Sequence, residues 1–150
     1  MKSYKKQTKG DDYMVIIGCG RLGANLANTL SDCEKNVLII DNSKDSFRKL
    51  SPSFGGLTLA GDATDIDVLN EAQVNKATAV VIVTNNDNIN VMVAQMAKEL
   101  FKVPHVIARL YNPDCECVYH EFGIDSICPA VLSANAISSL LGNAEKEAAL

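Results

Sequence analysis

At 150 residues the chain has the length of one domain, and a hydrophobic fraction of 47% is enough to bury a core. The net charge of −4 argues against nucleic acid as the main partner, and no apolar run approaches the ~20 residues of a membrane span. With five irregularly spaced cysteines and no apolar stretch behind the first lysines to act as a secretory signal, the chain is expected to be cytoplasmic, with reduced thiols and no direct membrane insertion.

Residues 1–12 carry Lys2, Lys5, Lys6 and Lys9 and read as a basic, disordered tail. The ordered domain is expected over 13–142. It opens with the apolar run Tyr13-Met14-Val15-Ile16-Ile17, a strand, which leads into Gly18-Cys19-Gly20-Arg21-Leu22-Gly23. Leu22, Leu26 and Leu30 then recur every four residues, which predicts a helix over about 22–31. Strand, glycine loop and helix in that order form the context in which a G-x-G-x-x-G pattern binds a phosphate or pyrophosphate. Gly18 permits the turn, Gly20 lets the backbone approach a ligand, and Gly23 lets the helix pack closely on its strand. The free amides at the start of the helix favour an anion.

Val37-Leu38-Ile39-Ile40 suits a parallel strand buried on both faces. It ends at Asp41, 18 residues beyond Gly23. A carboxylate at that place either accepts the hydroxyls of an adenosine ribose or caps the next helix, expected over about 43–50. The glycine loop upstream favours the ribose, and a carboxylate there would repel the 2′-phosphate of NADP. Leu57-Thr58-Leu59-Ala60 reads as a third strand ending in Gly61-Asp62-Ala63-Thr64, where Asp62 serves either as a turn residue or as a polar group beside an adenine. Thr64 or Asp65 caps a helix carrying Ile66, Val68 and Leu69.

Ala79-Val80-Val81-Ile82-Val83 is a fourth strand, followed by the polar cluster Thr84-Asn85-Asn86-Asp87-Asn88 and a helix with Ile89, Met92, Val93, Met96 and Leu100 on one face. His105-Val106-Ile107-Ala108 is a fifth strand. It ends at Arg109, whose guanidinium either lies on the surface, as most arginines do, or forks onto a phosphate. A helix from Pro113 to about Phe122, a short strand over 126–128 and a last helix to Gly142 follow, with 143–150 as a polar tail. Strand and helix thus alternate six times. That predicts a single α/β domain, a doubly wound, three-layered parallel Rossmann-type sheet of six strands in the order 3-2-1-4-5-6. Ligands of such sheets bind at the carboxyl ends of the strands, where Asp41, Asn42, Gly61, Asp62, Ala63, Thr84, Asn85, Asn86 and Arg109 all fall.

The chain resembles the N-terminal nucleotide-binding domain of potassium transport regulators of the TrkA and KtrA type, also called RCK or KTN domains. The resemblance spans 13–142. It rests on Gly18 to Gly23, Asp41, Gly61-Asp62-Ala63-Thr64, Thr84-Asn85-Asn86-Asp87, Val106-Ile107-Ala108-Arg109, and Gly123-Ile124-Asp125 leading to Pro129. It implies a binding module rather than an enzyme, which takes NAD(H), AMP, ADP or ATP. It also implies a homodimer, possible assembly into a larger ring, and control of a membrane potassium transporter or channel. Arg21 would lie near the phosphates and reach a neighbouring subunit's nucleotide, Asp41 would hold the ribose, Asp62 and Ala63 would border the adenine, and Thr84, Asn85 and Arg109 would line the phosphate side. The family carries a second ligand-binding subdomain after the last helix, whereas this sequence ends at Leu150. An acid that often follows the proline of strand six, contributing to a cation site, is here Ala130, which shifts the expectation toward NAD or AMP.

Two other readings compete. A small NAD-dependent oxidoreductase needs a general acid or base beside the nicotinamide, and the two histidines, His105 and His120, are poorly placed for it. A metal or redox site would draw on Cys115, Cys117 and His120, but helical residues two apart point in different directions. Cys19, at a helix N-terminus, is the better candidate for a redox thiol.

Overall fold

The computed structural model describes residues 12–148, so the basic tail expected over 1–12 lies almost wholly outside the described residues. The elements are β1 (Tyr13–Ile17), α1 (Arg21–Asp32), β2 (Asn36–Asp41), β3 (Leu57–Ala60), α2 (Ile66–Glu71), β4 (Ala79–Ile82), α3 (Asp87–Glu99), β5 (His105–Arg109), α4 (Glu116–Glu121), β6 (Asp125–Ile127) and α5 (Pro129–Ala148). The six strands form one parallel sheet in the order β3-β2-β1-β4-β5-β6, as the alternation of elements predicts.

Alternation along each strand decides what each face buries. Val15 and Ile17 of β1, Leu38 and Ile40 of β2, Val80 and Ile82 of β4, and Val106 and Ala108 of β5 point to one face. Leu69 of α2, Val93, Ala94 and Ala97 of α3, and Tyr119 of α4 cover them. The opposite residues Ile16, Val37 and Ile39 meet Ala24 and Ala27 of α1, flanked by Phe47, Leu50 and Phe54. Beyond β1 this second layer thins: Val81 and Ile107 are only half-buried, and Ile127 is exposed.

Several boundaries differ from the pattern. The turn after β2 is a 3-10 helix, Lys44–Lys49, because a six-residue segment without a full apolar stripe gains little from α geometry. A second 3-10 turn, Val74–Lys76, precedes β4, entered through Gln73 at φ 53°. The helix expected from Pro113 begins as a 3-10 turn, Pro113–Cys115, capped by Asn112, which accepts from the Asp114 amide. Asp65 caps α2 by accepting from the Asp67 amide. Helix α5 continues past Gly142 to Ala148, since Ala144, Glu145, Lys146 and Glu147 are strong helix formers and one glycine does not end such a run. Residues 131–140 of α5 are all exposed, including Leu132, Ile137 and Leu140, the last at 70%. No helix among the described residues is long and apolar enough to cross a membrane.

Candidate functional site

A cleft of about 330 Å³ opens at the carboxyl edge of the sheet, a volume within the roughly 300–1,000 Å³ of small-molecule sites. Gly18, Cys19, Gly20, Asp41, Asn42, Gly61, Asp62, Ala63, Thr84, Asn85 and Arg109 line it. Of the residues singled out in the sequence, Arg21, Leu22, Gly23 and Asn86 do not. Arg21 and Leu22 lie exposed on the first turn of α1. Asn86 is occupied in capping α3, its Oδ1 accepting from the Asn88 and Ile89 amides at 2.9 and 3.1 Å.

The three glycines do different work. Gly18 sits at φ +104°, and a Cβ there would lie 2.9 Å from the carbonyl of Val83. At Gly23 a Cβ would come within 1.8 Å of the Gly18 carbonyl oxygen, so its role is to seat α1 against the loop. Gly20 faces the cleft with ordinary dihedrals, and a Cβ there would meet nothing within 4 Å. The protein's own packing makes no demand for glycine at that point; a side chain would instead intrude on the cleft. No side chain caps α1 and no acid occupies its first turn, so its amide end remains open to an anion.

On the β1–β2 side, Asp41 braces the loop. Its Oδ2 accepts from the Cys19 amide and its Oδ1 from the Ser43 amide, each at 2.8 Å. Each oxygen keeps a further lone pair, and Asp41 lines the cleft, so the carboxylate can accept from a ligand's hydroxyls as well. Asp62 closes its own turn by accepting from the amide and hydroxyl of Thr64 at 2.9 and 2.7 Å; the hydroxyl first, then the amide, hold its carboxyl below the usual range. It therefore acts both as a turn residue and as a wall of the cleft.

The Cys19 thiol donates to the Ser46 carbonyl at 3.3 Å and is fully buried. Burial pushes this thiol up, the Asp41 carboxylate adds to the shift, and Lys49 opposes it. Burial of the thiol works against the thiolate that a helix N-terminus favours.

On the β4–β5 side, Arg109 does not extend freely into the cleft. One guanidinium nitrogen donates to the carbonyls of Val83 and Thr84 at 2.7 and 3.0 Å, and the group lies over the Tyr111 ring, 4.9 Å from its centroid. Its Nε is buried without a hydrogen-bond partner.

The sequence reading missed Ser43, Ser46 and Lys49, which the 3-10 helix brings into the lining, and Ile17, Ile40, Val83 and Ile89, which provide apolar walls. The signal for the apolar group was available, since strand-terminal residues next to a switch point must face the crevice. Nothing local marked Lys49. Cys115, Cys117 and His120 form no ligand set: among the described residues no group of three or more His, Cys, Asp or Glu is placed to hold a metal. His105 sits at the opposite edge, paired with Asp125 at 3.0 Å.

A six-stranded doubly wound sheet with a glycine loop and a ligand-sized cleft at its switch point defines a Rossmann-type binding domain. Residues 14–129 match the TrkA-N domain family, and the chain belongs to it. It is 41% identical over 115 residues to the Trk system potassium uptake protein TrkA of Streptomyces coelicolor, covering 77% of this chain and 52% of that protein. It is 34% identical over 130 residues to a TrkA homolog of Methanothermobacter thermautotrophicus, covering 86% and 60%. The chain thus spans between half and two thirds of the length of these relatives. Among solved structures, the GsuK channel bound to NAD superposes with a TM-score of 0.76 at 25% identity, over 93% of this chain and 25% of that one.

Proposed function

We propose that this chain is the nucleotide-binding part of a potassium transport regulator, which holds an adenine nucleotide, NAD(H) or AMP, ADP or ATP, without transforming it. The observation that carries the reading is the cleft itself. An open helix N-terminus, a glycine whose missing Cβ leaves room for a ligand, and a carboxylate with free lone pairs meet on one edge. Phosphates would take the amides of the loop and the first turn of α1, the ribose hydroxyls would take Asp41, and Gly61, Asp62 and Ala63 would border the base beside Ile40. Thr84, Asn85 and Arg109 would face the phosphate side. Membership of the TrkA-N family and the NAD-bound channel support the same assignment. No histidine lines the cleft to act as acid or base, and Cys19 is buried, so neither the oxidoreductase nor the redox-sensor reading gains support.

The exposed apolar residues of α5, Ile137, Leu140 and Leu141 on one side and Leu132 further round the helix, suit a second copy of the chain. Regulation then follows if the nucleotide binds two packings of the dimer unequally, since only differential affinity moves such a balance. The dimer acts at the cytoplasmic face of the membrane on a potassium transporter or channel. The test is a thermal-shift panel of NAD, NADH, NADP, AMP, ADP and ATP. A ligand at 100 times its Kd adds about 2.7 kcal/mol. Adenine nucleotides should stabilise the chain, and Asp41→Ala should abolish the effect. No stabilisation by any of them sinks the binding claim. Sedimentation and potassium-flux measurements with and without the stabilising nucleotide test the regulatory claim separately.

A further inference from the structure

The buried polar side chain that stands out among the described residues lies behind the cleft rather than in it. Asn90, on the first turns of α3, is 0% exposed. Its Oδ1 accepts from the Thr84 amide at 3.1 Å and from the Thr84 hydroxyl at 2.5 Å. Its Nδ2 donates to the carbonyls of Thr84 and Arg109, both at 3.0 Å. A side-chain amide offers two acceptor positions and two donors, and all four are used.

These partners sit where the sheet ends. The last ladder pair between β4 and β5 is Ile82 with Ala108. Beyond that pair the two strands have no ladder to order them, and Asn90 bridges Thr84 to Arg109 in its place. Arg109 closes the ring by donating back to Val83 and Thr84. Thr84 and Arg109 both line the cleft, whereas Asn90 does not. A requirement for packing alone would not call for an amide at this position. The same helix buries Val93, Ala94 and Ala97, and an uncompensated amide among such residues is costly. Its four bonds have one common result, which is a fixed geometry of the β4–β5 rim.

We propose that Asn90 is the positioning residue of the β4–β5 rim, where Thr84 and Arg109 face the phosphate side of the cleft. It holds the Thr84 backbone and the Arg109 main chain at the spacing an anionic ligand group requires, and it has no part in holding the adenosine. The proposal rests on the nucleotide-binding reading above and extends it to a residue that touches no ligand.

The experiment titrates the full chain with ADP and, separately, with adenosine by calorimetry, for the wild type, Asn90→Ser and Asn90→Asp. Asn90→Ser is uncharged and loses the bridge to Arg109. Asn90→Asp keeps the shape and the acceptor, which serves if the serine variant does not fold. The expected result is a loss of roughly tenfold in ADP affinity with adenosine changed by less than about twofold, the scale on which misplaced binding groups act. An equal loss for both ligands shows a merely structural role and overturns the proposal, as does no loss for either. If the wild type takes up neither ligand, the nucleotide reading fails and this proposal with it. If it takes up both and the ratio is unchanged in the variants, only the role of Asn90 falls.

Discussion

The two halves of the cleft are built in different ways. On the β1–β2 side the walls are backbone: the turn at Gly18, the seat at Gly23 and the open face at Gly20, braced by one carboxylate on the Cys19 and Ser43 amides. On the β4–β5 side the walls are held by side chains, with Asn90 of α3 tying the loop after β4 to the end of β5 and Arg109 returning to that loop. A backbone cradle tolerates almost no added bulk at Gly18 and Gly23, but little in it depends on distant residues. A side-chain network spreads its dependence over residues far apart in sequence. The first kind suits a group common to many ligands, such as a pyrophosphate; the second suits tuning of what the site accepts.

The comparison breaks most severely at Gly23. Gly23→Ala places a methyl 1.8 Å from the Gly18 carbonyl oxygen, and should cost on the order of 3 kcal/mol, read as a lowered urea midpoint. Gly20→Ala is its opposite: it should cost under about 1 kcal/mol of stability while removing most of the nucleotide-induced thermal shift. A Gly20→Ala variant that still binds ADP normally would show that the cleft's room is not used by the ligand.

On the other half, Asn90→Ala leaves the Arg109 carbonyl unpaired in a buried setting and should cost about 2 kcal/mol in denaturant unfolding. Replacing Tyr111 by Leu removes the ring beneath the guanidinium, and the loss should be only about 0.5–1 kcal/mol, with a larger effect on anionic ligands than on adenosine. The smallest effect concerns chemistry rather than stability. Raised and buried, the Cys19 thiol should resist a thiol reagent near neutral pH, while the exposed Cys33, Cys115 and Cys117 react. Saturating nucleotide should leave that pattern unchanged. Rapid labelling of Cys19 in the native state, followed by mass spectrometry, would contradict the buried geometry.

The legibility of the site follows the same division. The glycine loop, Asp41 and the strand order were readable because each is a local pattern: glycines at fixed offsets, continuous apolar runs, and short right-handed crossovers. The β4–β5 half was readable only in outline. Thr84 and Arg109 could be placed at the edge by counting strands, but Asn90 was not singled out, since it follows Asn85, Asn86 and Asn88 in an asparagine-rich run. Nothing in that run distinguishes the residue that turns inward from the one that caps the helix, since both are asparagines near a helix start. Asn86 and Asn90 are four residues apart, and only packing of α3 on β4 and β5 separates their roles. Lys49 was missed for a similar reason: its approach to Cys19 depends on a 3-10 segment whose path has no sequence signature.

Taken alone, the sequence determined the class of fold, the strand order, the glycine turn and the carboxylate that ends β2. These depend on backbone conformation and on hydrophobic periodicity, which short stretches of chain encode directly. Tertiary structure decided which polar groups are spent inside the protein and which remain for a ligand. It turned Asn86 into a cap, Asn90 into a buried bridge, Arg109 into a brace on the loop after β4, and Cys19 into a buried thiol. Hydrogen-bond partners and desolvation are set by residues distant in sequence, so these outcomes exist only once the sheet has brought its edges together.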